Sequence, residues 1–484
     1  MRKENIAIIG MGISGCAVLA AYATGKTPHQ ITCLAPEESF GYGLPFAPDS
    51  EEALMNTRSI DLSAYPNRPS HYATWLEEKL GDVPAYTSRP LFGRYLREQA
   101  FHLLKISKAQ WVKAKVTGFH FDHPTATYQC TWVKNGIKQV GIFDRVHLCT
   151  GEVPHLDPYQ LVGSPQYLSQ PYPLKTWPKE ITASSRLAII GTSLSAIDAI
   201  KYAAKVRQVE QITAFSRGGY FPILGQDDAQ ADVTFKFLTP AHFDSLLAAH
   251  QGHLPHTALN EALLAECTHC ALNINKLRKS VLQAGLRPKA SPKALRQDLL
   301  TFEAIATQMT RLLNHYWPFC YRKDREAFQA KYQRLFDLVK GKQPQTSVDC
   351  LLQAQEDGQL TLSTAVAAIE QSPQADTFQL KNTAGAVLQE VDWVINATGW
   401  DFSFENLGAN EPLLAALFNQ HLAQVDPAGG LSIYAPTQEI ISPVYGRLPR
   451  CHAHGNLVSG ALYQTNSIGG IQLLAQKVIQ HTKP

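Results

Sequence analysis

The stretch Ile6-Ala7-Ile8-Ile9-Gly10-Met11-Gly12-Ile13-Ser14-Gly15 decides how the rest of this chain is read. Ile6 to Ile9 is a short apolar run of the kind buried on both faces in a parallel sheet. Three glycines follow at the spacing of a strand-turn-helix bend: one for the tight turn, one for close backbone approach to a pyrophosphate, one for helix-strand contact. Small residues from Cys16 to Ala21 continue as a helix whose first amides face a dinucleotide diphosphate. Gly10, Gly12, Ser14 and Gly15 are therefore candidate binding residues. The G-x-G-x-x-G pattern alone is weak; its place between a strand pattern and a helix pattern gives it meaning.

Working outward, the second strand reads as Gln30-Ile31-Thr32-Cys33-Leu34. An acid that binds a ribose hydroxyl is expected at its end, about 20 residues past the last glycine. Ala35 stands there, with Glu37 and Glu38 behind Pro36 as displaced carboxylates. Residues 40 to 100 are rich in turn formers yet carry aromatics, which suits a ligand-covering excursion; Asn56 and Arg89 are its contact candidates. Alternating segments Gln110–Val116, Tyr128–Val133 and Gln139–Phe143 follow, with Asn135-Gly136 as a hairpin turn. A buried strand then ends in Thr150-Gly151, where the chain passes close to a dinucleotide.

A second bend, Ile189-Ile190-Gly191-Thr192-Ser193-Leu194-Ser195-Ala196, repeats the pattern about 180 residues later, with small residues at the later glycine places. Gly191, Ser193 and Ser195 are its candidates. Strand Gln211–Phe215 ends in Ser216-Arg217, and a guanidinium there matches a 2′-phosphate, which favours NADPH over NADH. Residues 240 to 340 carry long helical patterns and read as an insertion. Val391 to Trp400 returns to a strand ending in Thr398-Gly399, and His452-Ala453-His454-Gly455 leads to Thr465-Asn466-Ser467 and a closing helix capped by Ser467. His452 and His454 read as hydrogen-bonded structural residues.

The 484 residues suffice for two to three domains, and 45% hydrophobic with 18% charged residues describes a folded globular chain. A net charge of +3 from 44 basic and 41 acidic residues gives no field for nucleic acid. Nine cysteines without framework spacing indicate a reducing, cytoplasmic setting. Arg2-Lys3 before an apolar run imitates a signal peptide, but cleavage would remove the first strand and bend. No apolar run reaches the ~18 residues of a membrane span. No metal-ligand cluster, Ser-His-Asp set or carboxylate pair stands out, so catalytic residues stay unnamed, and oligomeric state is not legible.

Taken together, the two bends, the two Thr-Gly strand ends and the terminal helix resemble the two-dinucleotide-binding flavoproteins. The motifs Gly41-Tyr42-Gly43-Leu44-Pro45-Phe46, Leu54-Met55-Asn56, Trp75-Leu76, Arg89 with Gly93 and Tyr95, and Gly191 to Ala196 are similar to a bacterial family of FAD/NAD(P)-binding proteins. Asp392 to Trp400 loosely resembles the Asp-x3-Leu-Ala-Thr-Gly-Tyr signature of N-hydroxylating ornithine and lysine monooxygenases, with Asn396 for Leu and Trp400 for Tyr. The resemblance implies an α/β fold with two Rossmann-like domains, the second inserted in the first and carrying a helical insertion. It implies FAD bound by 1–180 and 386–484, and NADPH bound by 181–385 with its insertion at about 240–340. Gly455, Thr465 and Asn466 join the FAD contacts, and the closing helix points its positive end at the flavin. The implied activity is an FAD-dependent NADPH oxidoreductase, monooxygenase-like, acting on a small molecule. Two alternatives stay open: a flavin disulfide reductase using Cys267 and Cys270, and a non-catalytic sensor or scaffold, suggested by Ala35.

Overall fold

A computed structural model describes the chain apart from residues 1–2, 26–28, 135, 152, 220, 226–230, 285–292, 373–375, 409, 466 and 482–484. The chain forms two compact units, one of residues 1–48, 57–154 and 401–484, the other of residues 49–56 and 155–400.

In the first unit a seven-stranded sheet has the order Ile433–Tyr434, Glu439–Ser442, Gly446–Ala453, Arg145–Leu148, Asn5–Ile9, Gln30–Leu34, Gln110–Val112. Its middle is parallel: Ile9 lies opposite Leu34 on one side and Leu148 on the other. The helix Ile13–Ala23 covers one face beside the closing helix Ile468–His481, and its small side chains at Ala17, Ala20 and Ala21 sit in the same apolar core as Ile8, Ile471 and Val478. Alanine at those places lets the helices approach without voids. Ser467 Oγ accepts the amide of Gly470 at 3.2 Å and so caps the closing helix, as its sequence position requires. Between Gln110–Val112 and Arg145–Leu148 lies a three-stranded antiparallel meander, Val116–Asp122, Thr127–Lys134 and Ile137–Phe143. Lys134 pairs with Ile137, so the turn has two residues, and Gly136 takes φ +74° there; Asn135 lies outside the described residues.

The second unit repeats this plan. Its sheet runs Leu360–Ser363, Gln211–Phe215, Arg186–Ile190, Trp393–Asn396, Tyr167–Leu168, all in parallel pairs. A second antiparallel meander, Ala368–Gln371, Phe378–Lys381 and Val387–Val391, connects Leu360–Ser363 to Trp393–Asn396. The long helices Pro240–Ala249, His256–His269, Ile274–Ala284, Lys293–Tyr316 and Arg322–Lys340 all fall between Gln211–Phe215 and Leu360–Ser363. Inside this insertion the fully buried Glu266 carboxylate accepts the amides of Lys236, Phe237 and Leu238, which is what makes its burial tolerable. The fold is α/β, with two Rossmann-like units, the second interrupting the first in sequence and carrying a helical insertion.

Three sequence expectations change in detail. Gln110–Val116 is not one strand: Gln110–Val112 joins the parallel sheet and the chain breaks before the meander begins at Val116. The 40–100 excursion includes helices His71–Leu80 and Arg89–Ser107, the latter with Phe92, Tyr95 and Leu96 buried, so much of it is core. Residues 49–56 belong to the second unit, where Asp49 accepts the amides of Leu174 and Lys175 at 2.8 and 3.0 Å. There the ammonium of Lys201, 1% exposed, donates to the Glu52 carbonyl at 2.6 Å and lies 3.7 Å from the Glu52 carboxylate. An ammonium can be buried only with such partners.

Candidate functional site

In the first unit the bend after Asn5–Ile9 is built without room for side chains. Gly10 has φ +90°, and a Cβ there would stand 2.5 Å from the Cys149 carbonyl oxygen. A Cβ on Gly15 would lie 2.0 Å from the Gly10 carbonyl, so the third glycine presses helix against turn as its position in the pattern requires. Gly12 has a neighbour that sequence reasoning missed: its Cβ would meet the backbone of Gly43 at 3.0 Å. Gly41, at φ +82°, anchors that loop by donating its amide to the Met11 carbonyl at 2.7 Å. The signal was legible as Gly-x-Gly at 41–43, since two backbones can cross this closely only where both lack side chains.

Thr150 stands directly beside Gly10, and Gly151 follows at φ +64° with open space around its Cβ position. Ser14 is 8% exposed, and a Cβ on Gly455, which has φ +65°, would come within 2.5 Å of its hydroxyl. So Gly10, Gly12, Ser14, Gly15, Thr150 and Gly455 gather at one end of the sheet. Thr465 is buried, its hydroxyl 2.8 Å from that of Ser459. Arg89 opens the helix Arg89–Ser107, whose N-cap Ser88 accepts the Leu91 amide. Asn466 lies outside the described residues. Asn56, half-buried, lies in the second unit and Arg89 in the first.

The displaced carboxylates both lie at the surface. Glu37 is exposed and ion-paired with Lys113 at 2.9 Å, which holds its carboxyl below the usual range; Glu38 is exposed. Ala35 is 1% exposed, its amide bound to the Val112 carbonyl and its carbonyl to the Trp111 indole. Beside it is a cavity lined by Gly10, Leu34, Ser39, Lys115, Thr150 and Glu411, among others.

The second unit has the same construction. Gly191 takes φ +114°, and its Cβ would meet the Ala397 carbonyl at 3.0 Å, so the bend abuts the end of strand Trp393–Asn396 as Gly10 abuts Cys149. Thr192 and Ser216 hydroxyls lie 2.8 Å apart, linking the bend to the next strand end. Ser193 is the exposed N-cap of helix Leu194–Lys201 and makes no side-chain cap bond; Ser195 is half-buried in the first turn. Arg217 is exposed at the strand end. Asn396 is the organiser of Thr398-Gly399: its amide donates to the carbonyls of Leu156 and Ser169 at 2.6 and 3.1 Å, and its oxygen accepts from the amide and hydroxyl of Thr398. Gly399 takes φ +103°. A leucine at 396 could make none of these bonds.

His452 and His454 are structural, as their spacing suggests, but in a network no sequence pattern reveals. Arg145 Nη1 donates to His452 Nε2 at 3.1 Å, which obliges His452 to be neutral with its Nδ1–H donating to the Thr437 carbonyl at 2.7 Å. His147 Nδ1 lies 2.9 Å from His454 Nε2, and His147 Nε2 lies 2.8 Å from the Tyr22 hydroxyl. Burial pushes His452 and His454 down to about 3 and His147 well below its ordinary value. Arg145 is in turn ion-paired with Glu4 at 2.9 Å.

All nine cysteines are free thiols. Burial pushes the Cys267 thiol up to about 12 and raises that of Cys270, the opposite of what a redox pair needs to form its thiolate. Among the described residues no group of His, Cys, Asp or Glu is placed to hold a metal ion, and no helix is long and apolar enough to cross a membrane.

Residues 7–153 match a family model described as FAD-NAD(P)-binding. A stretch of 230 residues, 45% of this chain, is 23% identical to flavin-containing monooxygenase 3 of Rattus norvegicus, and the match spans 41% of that protein. Among solved structures, the FAD-bound cadaverine monooxygenase of Erwinia amylovora superposes with a TM-score of 0.59 at 14% identity, over 99% of this chain and 94% of that one. The ornithine N-hydroxylase of Kutzneria sp. 744, solved with reduced FAD, NADP+ and L-ornithine, gives 0.56 at 12% identity over 99% of both chains. At such identities the likeness is one of fold.

Proposed function

We propose that this protein is an FAD-dependent NADPH oxidoreductase of the monooxygenase type, acting on a small molecule. The observation that carries the reading is the doubled construction: two bends at φ +90° and +114°, each pressed by its glycine against the end of a Thr-Gly strand, leave backbone and no side chain where a diphosphate would lie. In this reading Gly10, Gly12, Ser14, Gly15, Thr150, Gly151, Gly455, Thr465 and Asn466 hold FAD with Arg89, through backbone amides and small hydroxyls. Gly191, Ser193, Ser195, Thr398 and Gly399 hold NADPH, Arg217 meets its 2′-phosphate, and Asn56 is a further cofactor contact. When bound, the cofactors supply hydride transfer and oxygen chemistry. The chain's part is to position them and exclude water.

The substrates named for the similar structures are amines and amino acids, and a small amine-bearing molecule is the class to test first. The test is an absorbance spectrum of purified protein, loaded with FAD, before and after NADPH without oxygen. Bleaching of the flavin bands is expected, followed by oxygen uptake on re-aeration. A protein that retains no FAD refutes the reading. Cys270→Ser separates the reductase alternative: NADPH-driven oxygen uptake should persist, whereas any turnover of a disulfide acceptor by the wild type that vanishes in the variant would favour the thiol route.

A further inference from the structure

The chain lacks an acid at the end of its second strand, yet the cavity at that place is not without one. Resting on the flavin reading of the first unit, we propose that Glu411 supplies the carboxylate that hydrogen-bonds the adenosine ribose of the bound dinucleotide, in place of Ala35. In a fold of this kind the ribose lies over the ends of the first two strands, next to the glycine bend. Here that place is the cavity bounded by Gly10, Leu34 and Pro36, and Glu411 and Ser39 are polar side chains on its wall. Leu34, Val116 and Leu413 form apolar walls suited to the faces of a purine.

Of the displaced carboxylates, Glu37 is paired with Lys113 and Glu38 is exposed, and neither lines this cavity. Glu411 is held by its surroundings. It precedes the helix Pro412–Asn419, and its Oε2 accepts the Gly408 amide at 2.9 Å. Lys115 donates to the adjacent Asn410 carbonyl at 2.8 Å, tying that segment to the beginning of the meander. Glu411 Oε1 has no partner among the described residues, so one lone-pair face remains for a hydroxyl. A carboxylate fixed through one oxygen and presenting the other is pre-organised for a vicinal diol.

The test is a titration of apoprotein with FAD and with FAD carrying 2′-deoxyadenosine, followed by quenching of flavin fluorescence. Glu411→Gln keeps the size of the side chain and an oxygen for the Gly408 amide. The expected result is about a 10- to 100-fold rise in the FAD Kd of E411Q, the range of a charge-assisted hydrogen bond. Wild type should lose a similar factor when the 2′-hydroxyl is removed, and E411Q should lose little more. The wild-type arm is independent of whether the variant folds well. Unchanged FAD binding in E411Q, or equal losses for both ligands, overturns the proposal while leaving FAD binding by the wild type intact. Wild-type protein that takes up no FAD overturns the flavin reading and this proposal with it.

Discussion

Acidification should weaken the first unit more steeply than its surface charges explain. Three imidazoles, His147, His452 and His454, are 0–3% exposed and held neutral, with His452 and His454 at about 3 and His147 well below its ordinary value. In the unfolded chain they titrate near the ordinary 6.5. Between these limits the unfolded state binds more protons than the native state. Stability therefore falls as pH drops below about 6.5 and continues to fall towards about 3. At pH 5.5 each buried imidazole forgoes about 1.4 kcal/mol, and the three together about 4 kcal/mol, relative to a pH well above 7. The measurement is hydrogen exchange of amides in strands Asn5–Ile9 and Arg145–Leu148 at pH 7 and 5.5, corrected for the intrinsic pH dependence of exchange. A variant, His147→Gln, should lose only about two-thirds as much protection over the same interval, because one proton-binding site is gone from the unfolded chain. Protection that is flat with pH, or that falls as steeply in the variant, would refute the neutral assignment of this network.

Further perturbations test the two bends. Gly15→Ala places a Cβ 2.0 Å from a backbone carbonyl that cannot swing aside, so the variant should lose about 2–4 kcal/mol and its flavin, read from Tm and the flavin-to-protein ratio. Asn396→Leu leaves the Leu156 and Ser169 carbonyls and the Thr398 amide without partners; a loss of about 2–4 kcal/mol in urea unfolding is expected, and a loss under 1 kcal/mol would dismiss Asn396 as the organiser of that turn. Arg217→Ser should raise KM for NADPH about 10- to 100-fold and leave NADH unaffected, whereas equal effects on both would remove the guanidinium from the 2′-phosphate.

The parts of the fold that were legible in sequence are those whose cause is local. Gln30–Leu34 and Gln211–Phe215 were readable to the residue because a buried parallel strand is an apolar run with abrupt ends. The third strand of the first sheet was not, since Gln110–Val112 has only three residues, none fully buried, and nothing local separates it from the alternation that follows. The glycine bends announced themselves by spacing; Gly-x-Gly at 41–43 was a visible signal too, but its partner, the backbone of Gly12, could not be read from the sequence around it. The histidine network needed the pairing register that sets His452 opposite His147. Glu411 was invisible as a substitute for the missing acid for the same reason: it joins Leu34 and Pro36 around one cavity only after the chain has returned from the second unit.

The strap at 49–56 bears on how this protein can be cut. A fragment of residues 155–400 would look self-contained on a linear map, yet it would leave out Asp49, which ties down Leu174 and Lys175, and Glu52, whose carbonyl and carboxylate face the ammonium of Lys201. Ala53, which packs in that unit's apolar core, would go with them. Anyone expressing the second unit on its own would need to graft these eight residues back through a linker, or replace Lys201 with an uncharged side chain of similar length.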